Sequence, residues 1–419
     1  MRKLIRSRNF LIGSAFAVAL AGLGVAQFAL QGKAEAQSMQ APKFEVDPFW
    51  PKPLPNHWVL GMSIGVWVDN NDHIWMVHRD NTVDRTILQL KNHQGSCCQP
   101  APPVLAFDEA GNNIHAWGGK VEGAPYQWPE SNHGIFVDYK GNVWIGGNGG
   151  PDSQILKFTQ DGKFLMQIGK SGARAKAGAA ADANAEGARN GFAANSNDPD
   201  NFGRVAKIFV DPKANEAYIA DGYLNHRVAV LDADTGKMKR WWGAYGQNPV
   251  DDTVQPRYTV DGQHDRAHEN FFRNPVHCAD MSVDRLIYVC DRVNDRMQVF
   301  TPEGKFVKEM YYQTDTLTDG SVWDIAFSKD PQQKYIFMAD GVAEHVVIID
   351  RQTLTPIYTF GDGGNSAGEF HGVHSIAIDS KGNLFTTETY GGRRIQKFVY
   401  KGMGPVTQGA DEGVAWPKS

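Results

Sequence analysis

Three histidines, His133, His277 and His374, occupy the same place in a repeated strand pattern, and only in every second copy of it. Neutral imidazole is a common ligand for borderline metals, and catalytic zinc takes three protein ligands with a fourth position left open. One histidine at the start of a strand is more often a hydrogen-bonded structural residue than a ligand. Three at matching positions on alternate units are not three independent accidents, and they point to a zinc site on a symmetry axis.

The elements that must position them are short apolar strands. First strands read Gly65-Val66-Trp67-Val68-Asp69, Gly134-Ile135-Phe136-Val137-Asp138, Lys207-Ile208-Phe209-Val210-Asp211, Cys278-Ala279-Asp280-Met281, Asp324-Ile325-Ala326-Phe327 and Ser375-Ile376-Ala377-Ile378-Asp379. A polar turn and a second strand follow, as in Asn142-Val143-Trp144-Ile145 or Tyr335-Ile336-Phe337-Met338, and then a third such as Arg227-Val228-Ala229-Val230-Leu231. Six units of about 45 to 70 residues with this alternation predict an all-β, six-bladed β-propeller. Two copies carry Asp221-Gly222-Tyr223-Leu224-Asn225-His226-Arg227 and Asp291-Arg292-Val293-Asn294-Asp295-Arg296, which resemble the signature of NHL-type repeats. Aligned by first strands, the residues nearest the axis form a ring of Ile64, His133, Ala206, His277, Trp323 and His374. Alternate blades lie about 120° apart, so three imidazoles face one another across the channel, with Ile, Ala and Trp as a less polar surround.

The chain has 419 residues and a formal net charge of −5, without a basic stripe, so nucleic acid is not an expected partner. Repeats fill one domain. The division expected is a signal peptide over 1–36, a segment over 37–61 leading into the propeller, the propeller over 62–400 and a tail over 401–419. The signal reading rests on a basic start, Met1-Arg2-Lys3-Leu4-Ile5-Arg6-Ser7-Arg8, an apolar run from Phe10 to about Leu30, and Ala34-Glu35-Ala36 as the small-x-small cleavage site. It implies a periplasmic or extracellular protein with no membrane partner after cleavage, although the run is also long enough for an uncleaved anchor. Export permits disulfides among the four cysteines. Cys278 and Cys290 lie on consecutive strands of one blade, and Cys97 and Cys98 are adjacent, but sequence leaves the connectivity open. Cys278 follows His277 and should face away from the axis.

Two stretches interrupt the rhythm, Ser171 to Asn201 and Gln247 to Asn270, and both read as long surface loops near the channel mouth. Ring closure has two candidates: Lys43 to Trp50, or the tail after Lys401.

From about Met62 to Phe398 the chain resembles the peptidyl-α-hydroxyglycine α-amidating lyase (peptidylamidoglycolate lyase) family, whose fold is a six-bladed propeller. The motifs that carry the likeness are Asn132-His133-Gly134-Ile135 with Gly141-Asn142-Val143-Trp144, Pro275-Val276-His277, and Val373-His374-Ser375-Ile376. They are similar to the family's three zinc-ligand segments. The resemblance also implies an active-site arginine at Arg79, in Trp75-Met76-Val77-His78-Arg79-Asp80, and an active-site tyrosine at Tyr223. On the residues alone, Tyr223 reads as a turn residue and Arg79 as a surface or inter-blade ion-pair residue. The implied reaction cleaves the C–N bond of a carbinolamide to an amide and glyoxylate, with zinc holding the substrate hydroxyl. Tyr223 would serve as base, its pKa drawn below the usual ~10 by metal and arginine, and Arg79 would assist or grip the substrate carboxylate. Two positions depart from the family. Ser375 stands where a carboxylate would bind structural calcium together with the carbonyls of Val66 and Ile135, and Leu224 stands where a cysteine would tether the tyrosine loop.

The leading expectation is a secreted zinc lyase for a small-molecule or peptide substrate, supplied by a separate upstream hydroxylase. A second reading keeps the zinc but hydrolyses an ester, lactone or amide. The third is a non-enzymatic binding scaffold, because a propeller fold does not decide function.

Overall fold

The computed structural model describes residues 39–83, 97–176, 191–251, 270–316 and 318–417. The signal-peptide reading of 1–36 and parts of both long loops lie outside these residues.

Each blade is an antiparallel four-stranded meander with its first strand against the channel. The six first strands are Ser63–Val68, Asn132–Val137, Val205–Asp211, Val276–Met281, Asp324–Phe327 and Val373–Ile378. The turn out of the first strand is built by its terminal aspartate. Asp138 Oδ1 accepts the N–H groups of Lys140 and Asn142, while Oδ2 accepts Trp144 Nε1 at 2.9 Å. Asp69 does the same for Asn71, His73 and Trp75. The Asp-x-x-x-Asn or Asp-x-x-x-His spacing is therefore an Asx-type turn that also anchors the next strand.

The second strands each carry a buried aromatic at the same register: Trp75, Trp144, Tyr218, Tyr288, Phe337 and Phe385. These rings fill the wedge between blades, and aromatic burial is the largest apolar contribution a single side chain makes. Blade one's third strand, Val104–Phe107, follows a long excursion after Ile74–His78, which hides its place in the repeat.

The N-terminal segment closes the ring. Gln40–Val46 pairs antiparallel with Ile395–Pro405, with Phe44 opposite Tyr400 and Val46 opposite Phe398, as the outermost strand of blade six. The propeller thus draws on residues before 62. The tail goes elsewhere: Ala410–Asp411 adds in parallel to the edge strand Thr355–Phe360 of blade five. Both cysteine pairs form disulfides, Cys97 with Cys98 and Cys278 with Cys290, the latter directly cross-strand in blade four.

Phe44 binds the closing strand to blade five, edge-on to Phe337 at 5.3 Å and stacked on Phe360 at 5.5 Å, and meets Tyr400 of blade six at 5.9 Å. Phe44→Ala removes a buried ring from the seam that completes the circle. It is expected to lower the unfolding free energy by about 3–5 kcal/mol in urea titrations, the usual range for buried Phe→Ala.

Candidate metal centre and its pocket

The strand ladder slips at the axial position in five of the six blades, blade five with Trp323 being the exception. Between the first and second strands, Ser63 and Gly65 pair with consecutive residues His78 and Val77, leaving Ile64 unpaired. The same slip isolates Ala206, His277 and His374, and in blade two it spans His133 and Gly134. A bulge of this kind turns the extra residue out of the regular alternation and frees its backbone groups. Here it turns three imidazoles into the channel.

Carbonyls at the axial positions of the alternate blades, two of them at slips, have a use. His133 Nδ1 donates to the carbonyl of Ala206 at 2.7 Å, His374 Nδ1 to that of Ile64 at 2.7 Å, and His277 Nδ1 to that of Trp323. Each ring is thereby fixed as the Nδ1–H tautomer, with the Nε2 lone pair toward the axis. The three ligand atoms lie within 4.8 Å of one another, and all three residues are buried. His374 is held down to about 3, first by burial and then by the guanidiniums of Arg292 and Arg79. Burial also lowers His133 and His277 well below the ordinary range. Three buried lone pairs converge without protons between them, which is the donor chemistry zinc selects. The neighbouring carbonyls supply the outer hydrogen bonds that orient metal-binding imidazoles.

Tyr223 stands over this set. Its hydroxyl lies 2.9 Å from His133 Nε2 and 3.1 Å from His277 Nε2, and it accepts Arg292 Nη1 at 3.2 Å. The backbone N–H of Tyr223 donates to the carbonyl of Arg204 at 3.1 Å. Its loop is held by a buried network in which Asp221 accepts from Gly203 N–H, Asn225 Nδ2 and Arg227 Nε. That network anchors the loop that carries Tyr223 and Leu224. Burial raises the phenol of Tyr223 above its ordinary value and outweighs the opposing effects of Arg292 and Arg79.

Arg79 leaves the end of Ile74–His78, donating Nε to the carbonyl of Asn132 at 3.3 Å and Nη2 to Asn148 Oδ1 at 2.8 Å. It lines the same cavity as Tyr223 and His374, about 710 Å³ in volume. Arg292 is the residue that sequence reading missed, because it sits inside the motif taken as a repeat signature. Its guanidinium lies 4.5 Å from the centre of the Trp323 ring and is bracketed by Tyr223 and Asp319. One signal was available: Arg79, Tyr223, Arg292 and Tyr390 all fall just after a second strand, and all line this mouth. The opposite end of the channel is an apolar recess bounded by Trp67, Phe209 and Phe327.

Beneath the histidines the axis carries a second polar layer. Lys207 Nζ pairs with Asp280 at 2.9 Å and with Asp324, while Ser375 Oγ donates to Asp324 Oδ2 at 2.6 Å and accepts Val66 N–H. Burial would lower the Lys207 pKa, but the two carboxylates reverse this and raise it. The side chain at position 375 is thus committed to a carboxylate from the preceding blade, and the Lys207 ammonium supplies the positive charge.

No protein-family profile matches the chain, and no curated protein matches it. Similar solved structures include a streptogramin B lyase, 12% identical with a TM-score of 0.47, covering 87% of this chain and 99% of that one. A virginiamycin B lyase from Staphylococcus aureus, solved catalytically inactive with quinupristin, is 12% identical with a TM-score of 0.42, covering 86% and 89%. A protein of unknown function from Bacteroides thetaiotaomicron is 11% identical with a TM-score of 0.48, covering 87% and 77%.

Lys207→Met strands Asp280 and Asp324 in the channel. We expect about 3–5 kcal/mol of destabilisation by chemical denaturation, the cost of removing one partner from a buried ion pair. A pH effect follows from His78, whose Nδ1 accepts Gly61 N–H and whose Nε2 donates to the carbonyl of Pro102. Burial lowers it from 6.5 to about 4. The unfolded chain therefore binds this proton before the native state does, so the contribution is complete above pH 6.5 and is lost as pH falls toward 4. Melting temperatures of His78→Gln should decline less steeply than wild type across that window.

Proposed function

We propose that the protein is an exported, zinc-dependent lyase that cleaves the C–N bond of a peptidyl-α-hydroxyglycine or related carbinolamide, giving an amide and glyoxylate. The observation that carries this is the convergence of three Nε2 lone pairs, with every Nδ1–H committed to a backbone carbonyl, beneath a tyrosine hydroxyl at the floor of an open cavity. A bound zinc supplies Lewis-acid polarisation of the substrate hydroxyl and lowers its pKa.

The chain's own groups do the rest. Tyr223, as phenolate, takes the proton of the carbinol hydroxyl, and the electron pair left on oxygen forms C=O as the C–N bond breaks. The departing amide nitrogen takes the proton back, so the reaction balances with no other reactant. Arg292 donates to the Tyr223 oxygen and favours its anionic form, while Arg79, held by Asn132 and Asn148, offers the rest of its fork to the substrate carboxylate.

Metal analysis of purified protein should give one zinc per chain, lost in His133→Ala. Glyoxylate release from α-hydroxyhippurate should fall about 10²–10⁴-fold in Tyr223→Phe with zinc retained, the range for removing a general base. Ester or lactone hydrolysis without glyoxylate release would move the same centre to hydrolase chemistry, and protein purified without zinc would remove the basis of both.

A further inference from the structure

The end of the channel away from the tyrosine holds a recess of about 340 Å³ that the repeat does not require. Three residues on from the axial position, blades one, two and three carry Trp67, Phe136 and Phe209, while blades four, five and six carry Asp280, Ala326 and Ala377. The aromatic half packs within itself, Trp67 against Phe136 at 4.3 Å and Phe136 against Phe209 at 5.4 Å. Across the axis, the two alanines leave the room that rings at the same register would fill. Trp67 and Phe209 line that room and stay half-buried, so apolar surface remains uncovered inside the propeller. A volume of this size lies in the ordinary range of small-molecule sites.

The recess is closed off from the cavity that Tyr223 lines. Between the two, the axis is filled by the imidazoles and by Lys207, Asp324 and Ser375, and the space left among them is about 10 Å³, room for one water at most.

Charge runs along the recess in a fixed order. At its floor, Asp280 shares the Lys207 ammonium with Asp324, two carboxylates to one cation. Three cations stand at its mouth, Lys213, Arg285 and Lys329, all in turns that follow first strands. Arg285 gives Nη2 to Asp211 at 2.6 Å, while its Nη1 is buried with no hydrogen-bond partner among the described residues. The ammonium groups of Lys213 and Lys329 make neither a hydrogen bond nor an ion pair among the described residues. Asp72 and Asp379 act on Lys329 through space, but Asp72 is taken by the N–H and hydroxyl of Ser380, and Asp379 by the N–H groups of Lys381 and Asn383. An anionic group is therefore repelled at the floor and attracted at the mouth, with apolar walls between.

We infer that this recess is a second ligand site, for a flat aromatic molecule bearing one carboxylate. The ring lies against Trp67 and Phe209, where aromatic contact adds to apolar burial. The carboxylate stays at the mouth, beside Lys329 and Lys213, in charge-assisted contact.

Isothermal titration of the purified protein with indole-3-acetate, its neutral amide indole-3-acetamide, and acetate tests it. The acid should bind at least ten-fold more tightly than the amide, and acetate should give no measurable heat. Lys329→Met, checked for an unchanged melting temperature, should weaken the acid about ten-fold and leave the amide as it was, while Lys329→Arg should retain the acid. Binding should persist in His133→Ala, because the histidine centre lies beyond the polar layer. No heat with indole-3-acetate, equal affinity for acid and amide, wild-type affinity for the acid in Lys329→Met, or loss of binding in His133→Ala overturns the inference.

Discussion

Each axial imidazole is oriented by a carbonyl that belongs to the next blade. His133 in blade two is held by Ala206 of blade three, His277 in blade four by Trp323 of blade five, and His374 in blade six by Ile64 of blade one. The arrangement exists because Ile64 and Ala206 are themselves the residues that slip out of the ladder. A regular strand would spend those carbonyls on its neighbour and leave the imidazole Nδ1–H buried without a partner. The third ligand also depends on ring closure, since Ile64 meets His374 only when blade one docks on blade six. The strand Gln40–Val46, which completes blade six, therefore belongs to the architecture of the site although it lies at the rim.

The groups above the histidines share a different origin. Arg79, Tyr223, Arg292 and Tyr390 all emerge where a second strand ends, and the loops there are held by buried acid–base networks. Asp221 with Asn225 and Arg227, Asp291 with Asn294 and Arg296, and Glu388 with Arg394 repeat one design in blades three, four and six. Hydrogen bonds in a low-dielectric interior are strong when fully satisfied, so these networks fix loop backbones without strands. Rigid loops then let electrostatics decide protonation. Burial and two nearby guanidiniums lower the pKa of His374, while burial outweighs the same guanidiniums and raises that of Tyr223.

The repeat, the blade number and the ring of axial residues were legible because they depend on local pattern: period-two alternation, an aspartate at four of the six first turns with Ser282 and Ser328 at the others, and one aromatic per second strand. The slip at Ile64, Ala206 and the histidines was not legible, since an unpaired residue leaves no mark on apolar alternation. Its consequence, carbonyl partners for the imidazoles, was invisible for the same reason. Closure by Gln40–Val46 could not be separated from closure by the tail, because both segments are extended and amphipathic. Arg292 was masked by a motif that explains Asp291, Asn294 and Arg296 structurally and leaves no need to ask about the residue between them.

The two layers on the axis divide the available ligand chemistry. Asp280 and Asp324, with Cys278 close by, form a second cluster with the composition of a metal site. Yet Cys278 is closed in a disulfide with Cys290, and both carboxylates are neutralised by Lys207. A divalent ion entering that layer would have to displace a covalently tethered ammonium already desolvated in place, whereas the imidazole layer has no internal cation and three aligned lone pairs. Hard oxygen ligands suit calcium and magnesium, and imidazole suits zinc. By pairing with both carboxylates, Lys207 sets that layer apart from the three imidazoles, which have no ammonium among them and lie directly below the tyrosine.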